Sequence, residues 1–261
     1  MNIDGAARHA VILAAGRGSR LGALTDTLPK CLTVVAGRAL LDWMLDALFQ
    51  SRIERVLIVG GYGYESLTAY QSPRVSTICH ARWSQTNMLG TLQAADSWLA
   101  SQPCLIAYSD IAVRHAHLAL LRSTPGDIVV ANNTRWYSLW SERFADALDD
   151  AENFVADAGT LRKIGGRAAS LTAIGGQFMG LIKTTPKGWA QLNAELTHDP
   201  ILARTGDTTK LLARVLDADI PINVVDCEGG WIEIDSPLDL QVVERGLLNA
   251  TTERWAHDWR G

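Results

Sequence analysis

Cysteine is sparse in this chain of 261 residues, and its four copies, Cys31, Cys79, Cys104 and Cys227, never form a C-x-x-C pair. That spacing argues against a zinc site or a disulfide framework, and the residues read as reduced thiols, three of them in apolar runs. No stretch of eighteen apolar residues occurs, so nothing is expected to span a membrane. The opening, MNIDGAARHA, lacks the basic-then-apolar order of a secretory leader. Excess positive charge is missing too. Lys and Arg total 24 against 28 Asp and Glu, and a net charge of -4 argues against a nucleic-acid-binding surface. With no repeats, linkers or low-complexity tracts, a cytoplasmic protein of one domain, residues 1–261, is expected.

What is present is ordinary in bulk, 48% apolar and 20% charged. Its order is more informative. Strand-like runs (VILAAG, RVLIVGG, CLIAYSD, DIVVANN) alternate with ALLDWMLDALFQSRI, TNMLGTLQAADSWLA and HLALLRS, whose apolar residues recur at helical spacing. Such alternation predicts an α/β fold with a largely parallel sheet covered on both faces, and ligands at the carboxyl ends of its strands. The rhythm breaks between Thr134 and Gly166. A polar, aromatic and acidic segment there reads as an insertion (about 134–166) over the sheet edge, and TLRKIGGRAASLTAIGGQFMGLIK then reads as hairpin material. The pattern resumes with helices in KGWAQLNAEL and TTKLLARVLDA. Strands INVVD and WIEID flank the Gly229–Gly230 turn, and a last helix lies in PLDLQVVERGLLNA.

The first strand runs into LAAGRGSRLGALTDTLPK, residues 13–30, with three glycines, two arginines and a closing Pro-Lys. A cationic, glycine-punctuated loop after a strand suits a phosphate, because backbone N–H groups approach an anion closely where no Cβ intervenes. It is not a P-loop, which needs a Gly-Lys pair. Nor is it a dinucleotide fingerprint, since Leu21 takes the third glycine's place and Gly22 comes one residue late. The bland alternative is a tight turn with solvated arginines. The three cations Arg17, Arg20 and Lys30 weigh against it.

Residues 13–32, LAAGRGSRLGALTDTLPKCL, resemble the signature L-A-A-G-x-G-x-R-(L/M)…T…P-K-x-L of the nucleotidyltransferases of the sugar-1-phosphate pyrophosphorylase superfamily. The resemblance runs over residues 8–247. It implies a Rossmann-like three-layer sandwich with a mostly parallel mixed sheet, of the nucleotide-diphospho-sugar transferase type. It also implies a reaction: a substrate phosphate or phosphonate attacks the α-phosphorus of a nucleoside triphosphate and releases pyrophosphate. By this resemblance the loop Leu13, Ala14, Ala15, Gly16, Arg17, Gly18, Ser19 holds the triphosphate, and Arg20 and Lys30 serve the reacting phosphates.

Joining two phosphates brings anions together, so a divalent cation is expected, Mg²⁺ with Mn²⁺ as substitute. Mg²⁺ takes carboxylate oxygens. Asp110 closes CLIAYSD, where the resemblance puts a metal-binding aspartate, although an aspartate after a strand also suits a turn or helix cap. Glu233 and Asp235, two apart in WIEID, point to one face of a strand, and a buried carboxylate pair needs a cation. Related cytidylyltransferases carry E-x-D at this place. Asp239 reads as an ordinary charge in the first turn of the last helix.

Thr86 or Asn87 is a natural N-cap for the helix in QTNMLGTL. The resemblance places this segment, with Met88 and Thr91, at the nucleobase together with Gly61 and Tyr62. In the insertion, Trp136, Trp140 and Arg143 share one side of a helix, where they either pack it onto the sheet or wall the acceptor site. From NNTRWYSLWSERFADALDDAENF through TLRKIGG, QFMGLIK and WIEID, the pattern resembles small cytidylyltransferases. Those load CMP from CTP onto phosphocholine, phosphoaminoacids such as phosphoglutamine, or aminoethylphosphonate. Arg162, Lys163 and Gln177 are further acceptor candidates. Aromatic faces and the acidic run Asp149-Asp150-Glu152 suit an ammonium group, and Arg143 could grip a carboxylate with paired hydrogen bonds. An amino-acid-like phosphorylated acceptor is therefore favoured over phosphocholine. The rivals are a sugar-1-phosphate nucleotidyltransferase using UTP, dTTP or GTP, and a non-catalytic nucleotide-binding regulatory protein. Trp255 and Trp259, four apart, suit internal packing or a homodimer contact.

Overall fold

Every residue of Ala10–Ala14 is buried, and alternation along this strand decides on which side. Ala10, Ile12 and Ala14 join one apolar cluster, Val11 and Leu13 another. A strand buried on both faces is the central strand of a covered sheet. A computed structural model describes residues 6–249 and 254–261. Residues 1–5 of the opening stretch and 250–253 near the C-terminus, both read above, lie outside the described residues.

The chain runs from β1 (His9–Ala14) through two 3-10 turns (Ser19–Thr25, Lys30–Leu32) and the ribbon β2 (Val34–Val35) and β3 (Arg38–Ala39) to α1 (Leu40–Gln50). Next come β4 (Arg55–Gly60), α2 (Tyr64–Leu67), β5 (Val75–Cys79), α3 (Met88–Gln93) and α4 (Asp96–Leu99). They are followed by β6 (Cys104–Tyr108), β7 (Ile111–Val113), α5 (His115–Ser123), β8 (Ile128–Asn133) and α6 (Trp136–Arg143). The second half holds β9 (Glu152–Asp157), β10 (Thr160–Arg167), β11 (Gln177–Thr184), α7 (Pro186–His198) and α8 (Pro200–Thr205). It closes with α9 (Thr208–Asp217), β12 (Asn223–Cys227), β13 (Trp231–Glu233) and α10 (Pro237–Asn249).

Nine strands form one sheet in the order β5-β4-β1-β6-β11-β8-β12-β10-β9. All but β11 and β10 point the same way, so the sheet is mixed and mostly parallel. One face carries α1, α5 and α6, the other α3, α7 and α9, giving the three layers expected. From β1 the chain steps to β4 on one side and later to β6 on the other. The carboxyl ends of β1 and β6 therefore flank a topological switch point, the usual ligand position in such sheets. β13 pairs with β7 in a separate short ribbon beside it.

Two expectations need correction. The insertion does not lie over the sheet edge: its hairpin, β9 and β10, extends that edge, turning at Ala158 and Gly159, both with positive φ. β11 is no arm of that hairpin. Its apolar run is buried on both faces, and it lies in the sheet interior between β6 and β8. Cys31, Cys104 and Cys227 are buried and Cys79 is exposed, all as free thiols. No described helix is long and apolar enough to cross a membrane.

Candidate active site

The loop after β1 is shaped around a lysine. Gly18 has φ 73°, and a Cβ there would sit 2.8 Å from the aliphatic stem of Lys30. Leu21 pins the loop from below, being 1% exposed in a third apolar cluster. Thr25 closes the turn by donating its hydroxyl to the Gly18 carbonyl at 3.0 Å. Pro29, extended at φ -65° and ψ 149°, then aims Lys30 back across the loop.

Lys30 ends between two carboxylates. Its Nζ donates to Asp110 Oδ2 at 2.5 Å and also to Asp235 Oδ1. Arg20 reaches the same Asp235 oxygen at 2.9 Å from the solvent side. Burial opposes the charge on Lys30, but Asp110, Asp235 and Glu233 outweigh it and hold its pKa above the usual lysine value. Asp110 joins β6 to β7, and its carbonyl accepts the N–H of Ile234, which sets the two carboxylate-bearing segments in register. One oxygen from each of Asp110, Glu233 and Asp235 lies within 4.8 Å of the others. Burial and the Asp235 charge push the Glu233 carboxyl well above its usual range, against the pull of Arg143. Asp110 Oδ1 is buried with no partner among the described residues. Crowded, hard, anionic and partly unpartnered, this trio could hold a divalent cation.

A buried ion-pair bracket supports the trio. Arg143 donates from Nε to Asp239 Oδ1 at 2.7 Å and from Nη1 to Glu233 Oε2 at 3.3 Å. The other Asp239 oxygen accepts the Asp235 N–H (2.9 Å), the Ser236 N–H (2.7 Å) and the Ser236 hydroxyl (3.0 Å). Burial would raise the Asp239 pKa, but the Arg143 hydrogen bond and charge, with these donors, hold it below the usual range. Asp239 is therefore no ordinary first-turn charge. It caps α10 and fixes the Asp235 backbone.

Two cavities meet here and share Met88, Tyr108 and Asp110. The smaller, about 130 Å³, lies between the end of β1 and the start of α3. Leu13, Ala15, Gly16, Lys30, Thr86, Asn87, Met88 and Thr91 line it, together with Trp83 and Ser109, which the sequence reading missed. Asn87 rather than Thr86 caps α3, its Oδ1 accepting the Met88 N–H at 2.9 Å. Thr86 instead shares a 2.7 Å hydrogen bond with His80. Ala14 is buried in the sheet, and Ser19 is exposed on the loop. Arg17 points away to Asp26 at 3.0 Å, and the Tyr62 hydroxyl donates to the Asp26 carbonyl. Gly61 packs close, since a Cβ there would sit 2.8 Å from the Ala15 carbonyl.

The larger cavity, about 330 Å³, is walled by Trp140, Phe154 and Phe178 and by the carboxylates Asp150, Glu152 and Asp207, with Arg20 at its rim. Burial raises the pKa of both Asp150 and Glu152. Asp207 left a weak signal in sequence, the T-G-D-T-T run that starts α9, where it accepts the Lys210 N–H.

The acceptor candidates are sorted unevenly. Trp136 is 5% exposed inside the main core and lines neither cavity. Trp140, 3% exposed, lines the larger cavity while stacking on Trp231 and donating to Asp150 at 3.1 Å. Both indoles lie on the buried face of α6, Trp136 wholly in the core and Trp140 also walling the larger cavity. Arg143 is spent on Asp239 and Glu233, so it is not free to grip an acceptor carboxylate. Gln177 lines the cavity, but its amide is engaged with both backbone groups of Glu152. Lys163 is exposed on β10 and lines neither cavity, and Arg162 pairs with Asp157 at 3.5 Å.

Comparison with known proteins gives concordant matches. The family model of the MobA-like NTP transferase domain matches residues 10–170. A CTP:phosphoglutamine cytidylyltransferase of Campylobacter jejuni is 27% identical over 248 residues, covering 90% of this chain and 98% of that protein. A 2-aminoethylphosphonate cytidylyltransferase of Lancefieldella rimae is 29% identical over 112 residues, 42% of this chain and 46% of its own length. Among solved structures, an inositol-1-phosphate CTP transferase from T. maritima aligns with a TM-score of 0.73 at 20% identity, covering 92% of this chain and 96% of that one. At that identity the likeness speaks for the fold.

Proposed function

The chain belongs to the MobA-like NTP transferase family, and on that premise we propose that it moves CMP from CTP to a small, amine-bearing phosphorylated or phosphonate acceptor. The observation that carries this reading is the junction of the two cavities, where Lys30, Asp110 and Asp235 meet. The smaller cavity, beside the glycine loop, takes the nucleotide. The larger, beyond the carboxylates, takes the acceptor. An acceptor oxygen then bonds to the α-phosphorus as the bridge to the β-phosphate breaks, and pyrophosphate leaves.

The residues divide the work by charge. Lys30 stays protonated across the working pH range, because the carboxylates around it favour its charged form. It thus offers a fixed cation to the oxygens that gather charge in the transition state. Arg20, more exposed, adds a second at the loop side. Asp110, Glu233 and Asp235 would hold Mg²⁺, which when bound supplies further positive charge against the phosphates.

The acceptor class rests on the larger cavity and on the two relatives, whose names specify phosphoglutamine and 2-aminoethylphosphonate. Asp150 and Glu152 beside aromatic faces favour an ammonium group. The carboxylate grip once expected of Arg143 no longer supports the amino-acid-like choice. The phosphoglutamine relative still does. Pyrophosphate release, measured for CTP, UTP, ATP and GTP against phosphoglutamine, 2-aminoethylphosphonate, phosphocholine and glucose-1-phosphate, tests the reading. CTP with one of the two primary-amine acceptors should be fastest. A preference for UTP with the sugar phosphate would overturn it.

A further inference from the structure

Glu233 and Asp235 stand on a ribbon with little of its own to hold it. β13 is three residues long and, among the described residues, pairs only with β7. A two-stranded ribbon is marginal in water unless one face is packed. Side chains alternate along it, so Glu233 and Asp235 share a face with Trp231, while Ile232 and Ile234 face the other way. On that back face Ile232, Ile234 and Ala112 of β7 meet Leu21 of the phosphate loop and Trp259 of the C-terminal tail.

Trp259 is 4% exposed and meets Trp43 edge to face, with ring centroids 5.7 Å apart. Its indole N–H has no acceptor among the described residues, so ring contact seats it. The tail also ties one end of the ribbon, where Gly230 and Arg114 face each other across β13 and β7. Gly230, just before β13, donates its N–H to the Ala256 carbonyl at 2.8 Å. Arg114, just after β7, donates from Nε and Nη2 to the Asp258 carbonyl at 3.1 and 2.9 Å. Gly229 has φ 55°, and a Cβ there would run into the Ala256 carbonyl, so the turn is fitted to the tail.

We propose that Trp259 is a positioning residue. The tail, residues 255–260, is a back plate that sets the Glu233/Asp235 ribbon against Asp110 and, through Leu21, against the phosphate loop. Trp259 touches no substrate and acts through Ile232 and Ile234. The proposal rests on the carboxylate trio being the cation site.

The test compares wild type, Trp259→Ala and Trp259→Phe by Mn²⁺ binding (electron paramagnetic resonance of free Mn²⁺), steady-state kinetics and amide hydrogen exchange. Trp259→Ala should weaken Mn²⁺ binding about tenfold, as loss of an outer support typically does. It should lower kcat with KM for CTP near wild type, and speed exchange at 110–114 and 230–235. Trp259→Phe should recover most of the loss. A folded Trp259→Ala with wild-type Mn²⁺ affinity and unchanged exchange there overturns the proposal, even if its Tm falls. Should that variant fail to fold, Trp259→Leu is read the same way. If wild type binds no Mn²⁺, the cation reading is what fails, and the exchange arm alone decides. Faster exchange confined to those two segments then supports the back plate, and unchanged exchange rejects it.

Discussion

Arg143→Met isolates the buried bracket beneath the carboxylates. Arg143 and Asp239 have side chains only 2% and 4% exposed, and Glu233 is 20% exposed. Methionine keeps most of the apolar stem, so the main loss is the guanidinium. Removing one partner of a buried pair costs about 3–5 kcal/mol, because the other charge is left uncompensated. The lower end applies here, since the second Asp239 oxygen keeps its three donors. A loss of about 3 kcal/mol corresponds to a fall in Tm of about 6–12 °C for a chain of this size. Urea unfolding of Arg143→Met, Asp239→Asn and the double variant measures it, and the double variant should cost clearly less than the sum. The pH dependence adds a second check. Asp239 has its pKa depressed in the folded state, so its contribution is present above the unfolded value of about 4 and is lost as pH falls through the folded value. The gap between wild type and Arg143→Met should therefore be full at neutral pH and shrink in acid. A variant within about 1 kcal/mol of wild type at pH 7, or strictly additive singles, would refute the bracket.

Lys30→Ala should stay folded and lose about 10²–10³-fold in kcat, as expected for deleting one transition-state charge stabiliser; near-wild-type turnover removes Lys30 from the chemistry. Gly18→Ala should lose about 1–2 kcal/mol from the left-handed backbone and lower turnover as well, because the new methyl meets the Lys30 stem; unchanged kcat would show that the close fit is incidental. Asp235→Asn should abolish the rise in Tm that Mg²⁺ gives wild type, and an undiminished rise would place the cation elsewhere. Burial, with the nearby Arg135 charge, lowers His257 to about 4. Its contribution is therefore present above the unfolded pKa of about 6.5 and is lost as pH falls from there towards 4, with a ceiling of roughly 3 kcal/mol. His257→Gln should flatten that slope in urea titrations, and an identical slope would show that His257 titrates normally.

The readable parts of the site were local in sequence. The glycine loop declares itself within eighteen residues because a glycine's freedom, a cation and a fixed proline act on near neighbours. Glu233 and Asp235 were readable because spacing by two on a strand puts both on one face. Asp110 was placed by the resemblance, which puts a metal-binding aspartate at the close of CLIAYSD. What stayed hidden was set by distance or by the direction of a face. Arg143 and Asp239 are 96 positions apart, and no pattern in either segment announces the other. Helical spacing showed that Trp136, Trp140 and Arg143 share a side, but a shared side does not say whether it meets core or cavity. β11 misled for a related reason, since a short apolar run buried on both faces looks the same at the centre of a sheet as in a hairpin.

These misreadings share one physical origin, which changes what the insertion does. Read as a cover, it would contribute side chains to the acceptor from above and leave the carboxylates alone. In the structure α6 lies beneath them. Arg143 balances Glu233 and Asp239 from the buried side, and Trp140 stacks on Trp231, two residues before Glu233. The same Trp140 donates to Asp150 at the wall of the larger cavity. One helix therefore touches the supports of the carboxylate ribbon and the acidic wall at once. A change in the wall that shifts Trp140 has a direct route to Glu233 through the stacked indoles, two side chains long and with no loop between. The acidic wall of the larger cavity and the placement of the carboxylates are thus built on the same piece of packing.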